Sequence, residues 1–97
     1  MARIAYTRAA LDDLVRLADF LHDNNPSAAA TTVDLIADAV AMLADHPLIG
    51  RPLDGGEREL MISRGRTGYV ALYSLEEEHD TVLILGIRHQ REAGYLL

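Results

Sequence analysis

The sequence predicts an α+β domain with element order β-α-α-β-β-β, a helical hairpin packed on a small, mainly antiparallel sheet. Three observations carry this: two consecutive segments in the first half with apolar residues at helical spacing, three runs of strand length in the second half, and connections short enough to force antiparallel neighbours. At 97 residues the chain can build one core and not two, so residues 1–97 are read as a single domain.

The opening Arg3-Ile4-Ala5-Tyr6 reads as a short strand, and Thr7 as the N-cap of the helix after it. From 8 to 24, Leu11, Leu14, Val15, Ala18 and Leu21 fall on one helical face, with Asp12, Asp13, Arg16, Asp19 and Asp23 on the other. Asn24-Asn25-Pro26 ends that helix, and the proline suits the first turn of the next. The second helix, from Ser27 to about Asp45, carries Ala29, Val33, Ile36, Val40 and Leu43, with Ala28, Leu35, Ala39 and Met42 widening the stripe. Asp45-His46-Pro47 closes it, and 48–56 reads as a loop. Residues 58–63, 69–75 and 81–87 are rich in branched and aromatic side chains and read as an antiparallel meander. Their turns are 64–68 and 76–80, and Val82 to Ile87 is apolar enough for an interior strand. Tyr95-Leu96-Leu97 is too apolar for a freely solvated end and is expected to dock.

Composition removes many chemistries. Without cysteine there is no disulfide, thiolate metal site, Fe–S cluster or thiol nucleophile. All nine basic residues are arginine, which excludes a lysine base or Schiff base. A net charge of −6 argues against direct nucleic-acid binding resting on many phosphate contacts. No secretory signal and no apolar run of about 20 residues is read, so the expected compartment is the cytoplasm, with no membrane association. The four histidines make no metal motif, and neither metal nor cofactor is expected. His22 and His46 suit helix ends, where an imidazolium meets the last carbonyls. Glu57 to Glu59 and Glu76 to Asp80 read as solvated surface.

Two constellations remain. Arg88-His89-Gln90-Arg91-Glu92, followed by Tyr95, ends the last strand; by alternation His89 and Arg91 share one face and Arg88 and Gln90 the other. A histidine, an arginine and a tyrosine at one sheet end would suit metal-free RNA cleavage, with a base, a cation for the phosphate and an acid. The alternative is polar residues that terminate a core strand. Arg58, Arg64 and Arg66 concentrate cation on the first meander strand and its turn, able to grip a phosphate or a partner's carboxylates, or simply solvated. Tyr69 and Tyr73 face the same way and are better read as packing than as a base-stacking platform.

The ordered set of these pieces resembles the RelE/ParE superfamily of type II toxin-antitoxin toxins, and specifically its ParE-like, plasmid stabilisation branch. The resemblance is carried by Thr7 before the first helix, Asp23-Asn24-Asn25-Pro26 with Ala28-Ala29, Leu43-Ala44-Asp45-His46-Pro47 with Ile49-Gly50-Arg51-Pro52, Gly68-Tyr69-Val70 with Tyr73, and Ile84 to Glu92. It implies a toxin neutralised by a cognate antitoxin, ParD-like or other, whose tail folds on binding. ParE-like members inhibit DNA gyrase; RelE-like members cut mRNA on the ribosome with basic residues on the sheet and a C-terminal Tyr or His. The lack of lysine and the acidic charge favour gyrase and a protein that is not an enzyme. The alternative is a metal-independent endoribonuclease using His89, Arg91, Arg66 and Tyr95, and a second alternative is a non-toxic interaction module. On the leading reading Arg58, Arg64, Arg66, Arg88, His89, Arg91 and Tyr95 form the target- or antitoxin-binding surface.

Overall fold

The computed structural model describes residues 1–23, 25–62 and 68–97. Strand β1 (Arg3–Tyr6) leads into helix α1 (Arg8–His22), capped as expected by the Thr7 hydroxyl, which accepts from the Ala10 amide at 3.1 Å. Helix α2 (Pro26–Ala41) has Pro26 in its first turn and Asn25 as N-cap, and it tightens into a 3₁₀ turn at Met42–Ala44. Four further strands follow: β2 (Arg51–Pro52), β3 (Arg58–Ile62), β4 (Tyr69–Glu76) and β5 (Thr81–His89). The sheet order is β1-β5-β4-β3-β2, with β1 parallel to β5 and every other pair antiparallel. Short β2 was hidden in the loop reading, and β5 runs two residues beyond the apolar stretch because Tyr69 and Val70 of β4 still pair with His89 and Arg88.

Both helices lie on one face of the sheet. Ile36, Val40 and Leu43 meet Ile62, Tyr69, Ala71, Tyr73, Val82, Ile84 and Ile87 in a common core. Each large side chain removed from water there contributes about 1.5–3 kcal/mol. Tyr69 and Tyr73 are packing residues, as expected. The Tyr73 hydroxyl donates to the Pro47 carbonyl and accepts from the Gly50 amide, both at 2.8 Å, so a core tyrosine fixes the loop after α2. Gly50 is required, because a Cβ there would overlap the Tyr73 phenol. Pro26–Ala44 is 19 residues long and holds a stretch of mean hydropathy 1.4, the length and composition of a membrane span. Its buried edge of Ala29, Thr32, Ile36, Val40 and Leu43 is the stripe of a helix lying on a sheet.

The buried face of α1 differs from the expected one. Ala10, Asp13 and Leu17 are buried, whereas Leu11 and Val15 are 46% and 59% exposed. The reason is the short β1. Beyond Tyr6 the edge of β5 has no strand beside it, and α1 closes that edge with side chains. The Thr7 amide and hydroxyl donate to the carbonyls of Ile84 and Leu85 at 3.0 and 3.2 Å. Asp13, only 2% exposed, accepts the Ile87 amide at 2.8 Å, and Arg16 reaches the Ile87 carbonyl at 3.4 Å. Glu92 then takes the His89 amide on its side chain at 2.8 Å and donates its own amide to the His89 carbonyl at 3.0 Å. Arg16 ties the two acids together, at 2.7 Å to Glu92 and 3.4 Å to Asp13. A buried amide left without an acceptor costs about 1–3 kcal/mol.

Asp13→Ala is therefore expected to lower the unfolding free energy by about 2 kcal/mol, whereas Val15→Ser, at a position the helical stripe marks as core, should change it by no more than about 0.5 kcal/mol. Urea unfolding of the two variants checks this; a larger loss at Val15 would mean that α1 is rotated from the arrangement described.

Candidate functional site

The C-terminal end of β5 is where the polar residues gather, and the sheet divides them between its two faces. On the helix side, His89 and Arg91 border an open groove of about 950 Å³ between α1, the start of α2 and the ends of β4 and β5. Its walls are apolar, with Leu17, Phe20, Leu21 and Ala28 prominent, and Arg16, His89, Arg91 and Glu92 close one end. Phe20 is 70% exposed and lies at the rim. The His89 ring stands edge-on to Tyr69 at 5.2 Å, and its Nδ1 accepts the Arg91 amide at 3.0 Å. The alternation expected for this segment holds at His89 and Arg88, which ends the strand; Gln90 and Arg91 belong to the turn after it.

On the opposite face, Glu59 of β3 stands in register with Arg51 of β2 and Leu72 of β4, and Leu72 with Gly86 of β5. Glu59 is 6% exposed, which corrects its reading as solvated surface. Arg51 donates to it at 2.6 Å, Arg88 stands 3.9 Å away, and the Tyr95 hydroxyl donates to its other oxygen. Burial by itself would raise the Glu59 pKa, but the hydrogen bonds from Tyr95 and Arg51 and the charges of Arg51 and Arg88 outweigh it and hold the carboxyl below its ordinary value. The same contact works the other way on Tyr95: burial, then the Glu59 hydrogen bond and charge, push the phenol well above its ordinary pKa. The tail docks through Tyr95, whose ring lies 5.0 Å from the Arg88 guanidinium carbon, whereas Leu96 and Leu97, expected to dock with it, are 63% and 72% exposed. Gly86 makes the room, since a Cβ there would come within 3.0 Å of Tyr95 and Leu97.

The expected surface residues thus have different neighbours. Arg58 donates to the carbonyls of Leu48 and Gly50 at 3.1 and 2.8 Å and clamps the loop that Tyr73 also holds. Arg64 and Arg66 lie outside the described residues. His89 and Arg91 share the groove, while Arg88 and Tyr95 share the outer face. Sequence reasoning missed Asp13, Glu59, Arg51 and Arg16, whereas Glu92, part of the expected constellation, pairs with Arg16. One signal for Glu59 was present: it alternates with Leu60 and Ile62, and an apolar tail needed a sheet face to cover. Among the described residues no group of three His, Asp or Glu side chains is arranged to hold a metal ion.

A helical hairpin packed on a five-stranded mixed sheet matches the architecture of solved ParE and RelE toxins. The chain belongs to the family described as the ParE toxin of the type II toxin-antitoxin system parDE, whose model matches residues 4–94. Toxin RelE3 of Caulobacter vibrioides is 40% identical over 80 residues, covering 82% of this chain and 85% of that protein. Among solved structures, the chromosomal ParDE toxin-antitoxin system of P. aeruginosa matches with a TM-score of 0.78 at 26% identity, over 92% of this chain and 96% of that one. The toxin-antitoxin complex RelBE2 of Mycobacterium tuberculosis matches with a TM-score of 0.60 at 31% identity, over 92% and 98%. Both branch names occur among the relatives, so the family is defined and the target is not.

A carboxyl held below its ordinary pKa in the folded state adds stability that is present above that ordinary value, 4.5 for Glu59, and disappears as the pH falls through the depressed one. Urea unfolding of wild type should therefore weaken more steeply below about pH 4.5 than that of Tyr95→Phe, which removes one of the hydrogen bonds holding Glu59 ionised. Identical pH profiles for the two proteins would show that the Tyr95 contact does not bear on Glu59.

Proposed function

We propose that this toxin arrests growth by inhibiting DNA gyrase, and so DNA replication, and that a cognate antitoxin neutralises it from the groove. The observation that carries the reading is the division of the candidate catalytic groups between the two faces of the sheet. Cleaving RNA without a metal needs a base at the 2′-hydroxyl and an acid at the leaving oxygen, both within hydrogen-bond reach of one phosphate. His89 and Arg91 border the groove beneath the helices, whereas Tyr95 lies across the sheet with its proton donated to Glu59. A phenol so held, with its pKa pushed up, is a poor acid and is not free to turn to a substrate. Arg16, Arg51, Arg58 and Arg88 are all engaged internally, and the net charge of −6 gives no general attraction for ribosomal RNA.

The groove has the features an amphipathic antitoxin segment requires: an apolar floor from Leu17 and Leu21, and Arg91 at the rim for an acidic side chain. The relatives solved as toxin-antitoxin complexes support such a partner for this chain. The cytoplasm, where gyrase works, is the compartment this reading requires. Ribosome-dependent mRNA cleavage is the second reading, supported by the name of the RelE3 relative and by His89 and Arg91 lining the same groove. In that case His89, whose Nδ1 accepts the Arg91 amide and whose Nε2 therefore carries the proton, would be the acid at the leaving oxygen and Arg91 the phosphate cation.

The deciding experiment incubates purified toxin with DNA gyrase and plasmid, with and without the antitoxin. Lost supercoiling and trapped cleaved DNA, both relieved by antitoxin, are the expected outcome. Normal gyrase activity from a preparation that still arrests growth would transfer the assignment to mRNA cleavage. Two substitutions sharpen the result. Arg91→Glu should weaken antitoxin binding about tenfold by placing like charge at the groove rim, measured by calorimetry. His89→Ala should leave growth arrest intact, and its loss, with antitoxin binding retained, would support catalysis by His89.

A further inference from the structure

On the outer face of the sheet, two hydrogen-bond donors and a second guanidinium charge meet on one carboxylate of the protein. Arg51 Nη2 donates to Glu59 Oε1 at 2.6 Å, Tyr95 Oη donates to Oε2, and Arg88 Nη2 stands 3.9 Å from Oε2 as an ion pair. Two guanidinium groups and a phenol around a single oxyanion are groups a phosphodiester also takes. The arrangement is built on strands: Arg51 and Glu59 are cross-strand partners on β2 and β3, and Arg88 lies on β5. Arg88 is stationed by the carbonyls of His89, Gln90 and Glu92, at 3.2, 3.2 and 3.0 Å, while its buried Nε meets no acceptor among the described residues. Its Nη2 makes no hydrogen bond to Glu59 and is the donor a second anion would engage.

The geometry points to Glu59 as a resident anion that fills a phosphate-binding site and thereby keeps nucleic acid off the outer face of the sheet. With Glu59 in place, the Arg51 and Arg88 guanidinium charges are offset by the protein's own carboxylate, and a phosphate approaching the exposed Arg51 meets that carboxylate. Selectivity of this kind comes from an element placed against the wrong ligand. Removing the carboxylate charge would leave two cations and a phenol with no anion between them, on a chain that is otherwise acidic. The inference deepens the reading of a protein-directed toxin and rests on it for its purpose, since a toxin that acts on a protein has reason to exclude RNA. The donor geometry itself is independent of which protein is the target.

Glu59→Gln is the direct test, because the amide keeps the shape and an acceptor oxygen and removes only the charge. A labelled single-stranded RNA hexamer and inorganic phosphate are the two probes, the second followed by NMR at the Arg51, Arg88 and Tyr95 side chains. E59Q should bind the hexamer at least about tenfold more tightly than wild type, the worth of one new charge-assisted hydrogen bond. The gain should fall with added salt and vanish in E59Q/R51A. Phosphate should shift all three side-chain signals in E59Q and none in wild type. Equal hexamer affinity in folded E59Q and wild type overturns the inference. So does a gain that survives in E59Q/R51A, whose net charge equals that of wild type, because Arg51 would then take no part in holding the phosphate. A response to phosphate without any gain for RNA also overturns it. Thermal melting and capture of the antitoxin verify the fold, with E59A taking the place of E59Q if the latter does not fold. The wild-type arm stands in either case: hexamer-induced shifts at Arg51, Arg88 and Tyr95 would show that Glu59 excludes nothing. A negative gyrase assay combined with a positive E59Q gain would sink the gyrase target and leave this inference standing.

Discussion

Everything at the functional end of the molecule depends on how the exposed edge of β5 is closed. Strand β1 is four residues long and β5 is nine, so the amide and carbonyl groups of Ile87 and His89 face a side where no strand reaches. An open edge of this kind invites pairing with another chain. Asp13 and Arg16 of α1 take the Ile87 groups, and Glu92 takes those of His89. Because Arg16 also joins Asp13 to Glu92, the helix, the strand end and the turn that follows form one hydrogen-bonded unit. That unit sets where His89 points, and it directs the chain after Glu92 towards the outer face, where Tyr95 meets Glu59.

A consequence is that arginine here has two kinds of work. On the outer face Arg51 and Arg88 are matched to one carboxylate, and Arg58 holds a loop through its carbonyls. Those guanidinium groups organise the protein. Arg91, exposed at the groove rim, is placed to meet a partner. Counting arginines along the chain gives no means of separating these roles, because the distinction lies in which face of the sheet each residue occupies and what already stands there. The fold is shared by toxins named for both branches, so the target has to be argued from that distribution of side chains.

Much of the fold was legible in the sequence because its signals are local. Thr7, Pro26 and the glycine and proline residues around position 50 mark ends and turns through backbone chemistry, and short runs rich in branched and aromatic residues mark β3, β4 and β5. The face of α1 was misread because Leu11 and Val15 continue a regular apolar stripe, while the residue that is buried is an aspartate. Its burial answers a need created more than seventy residues away at Ile87, by the length of β1, and helical periodicity contains no trace of that need. Glu59 was misread for a related reason. A carboxylate in an acidic stretch is normally solvated, and only a tail returning across the sheet brings Tyr95 onto it. The tail itself was legible, since Tyr95-Leu96-Leu97 called for a docking surface. Which surface it finds is decided by the missing side chain at Gly86 and by the edge closure that aims it there.

The central claim is that this toxin works on a protein of DNA metabolism and not on RNA. Synthesis rates in the first minutes after induction in cells lacking the antitoxin test it most directly. Thymidine incorporation should fall first, with leucine incorporation continuing until replication has stopped. Leucine incorporation falling first, while DNA synthesis continues, would contradict the account and identify the groove-side pair His89 and Arg91 as an RNA-cleaving site.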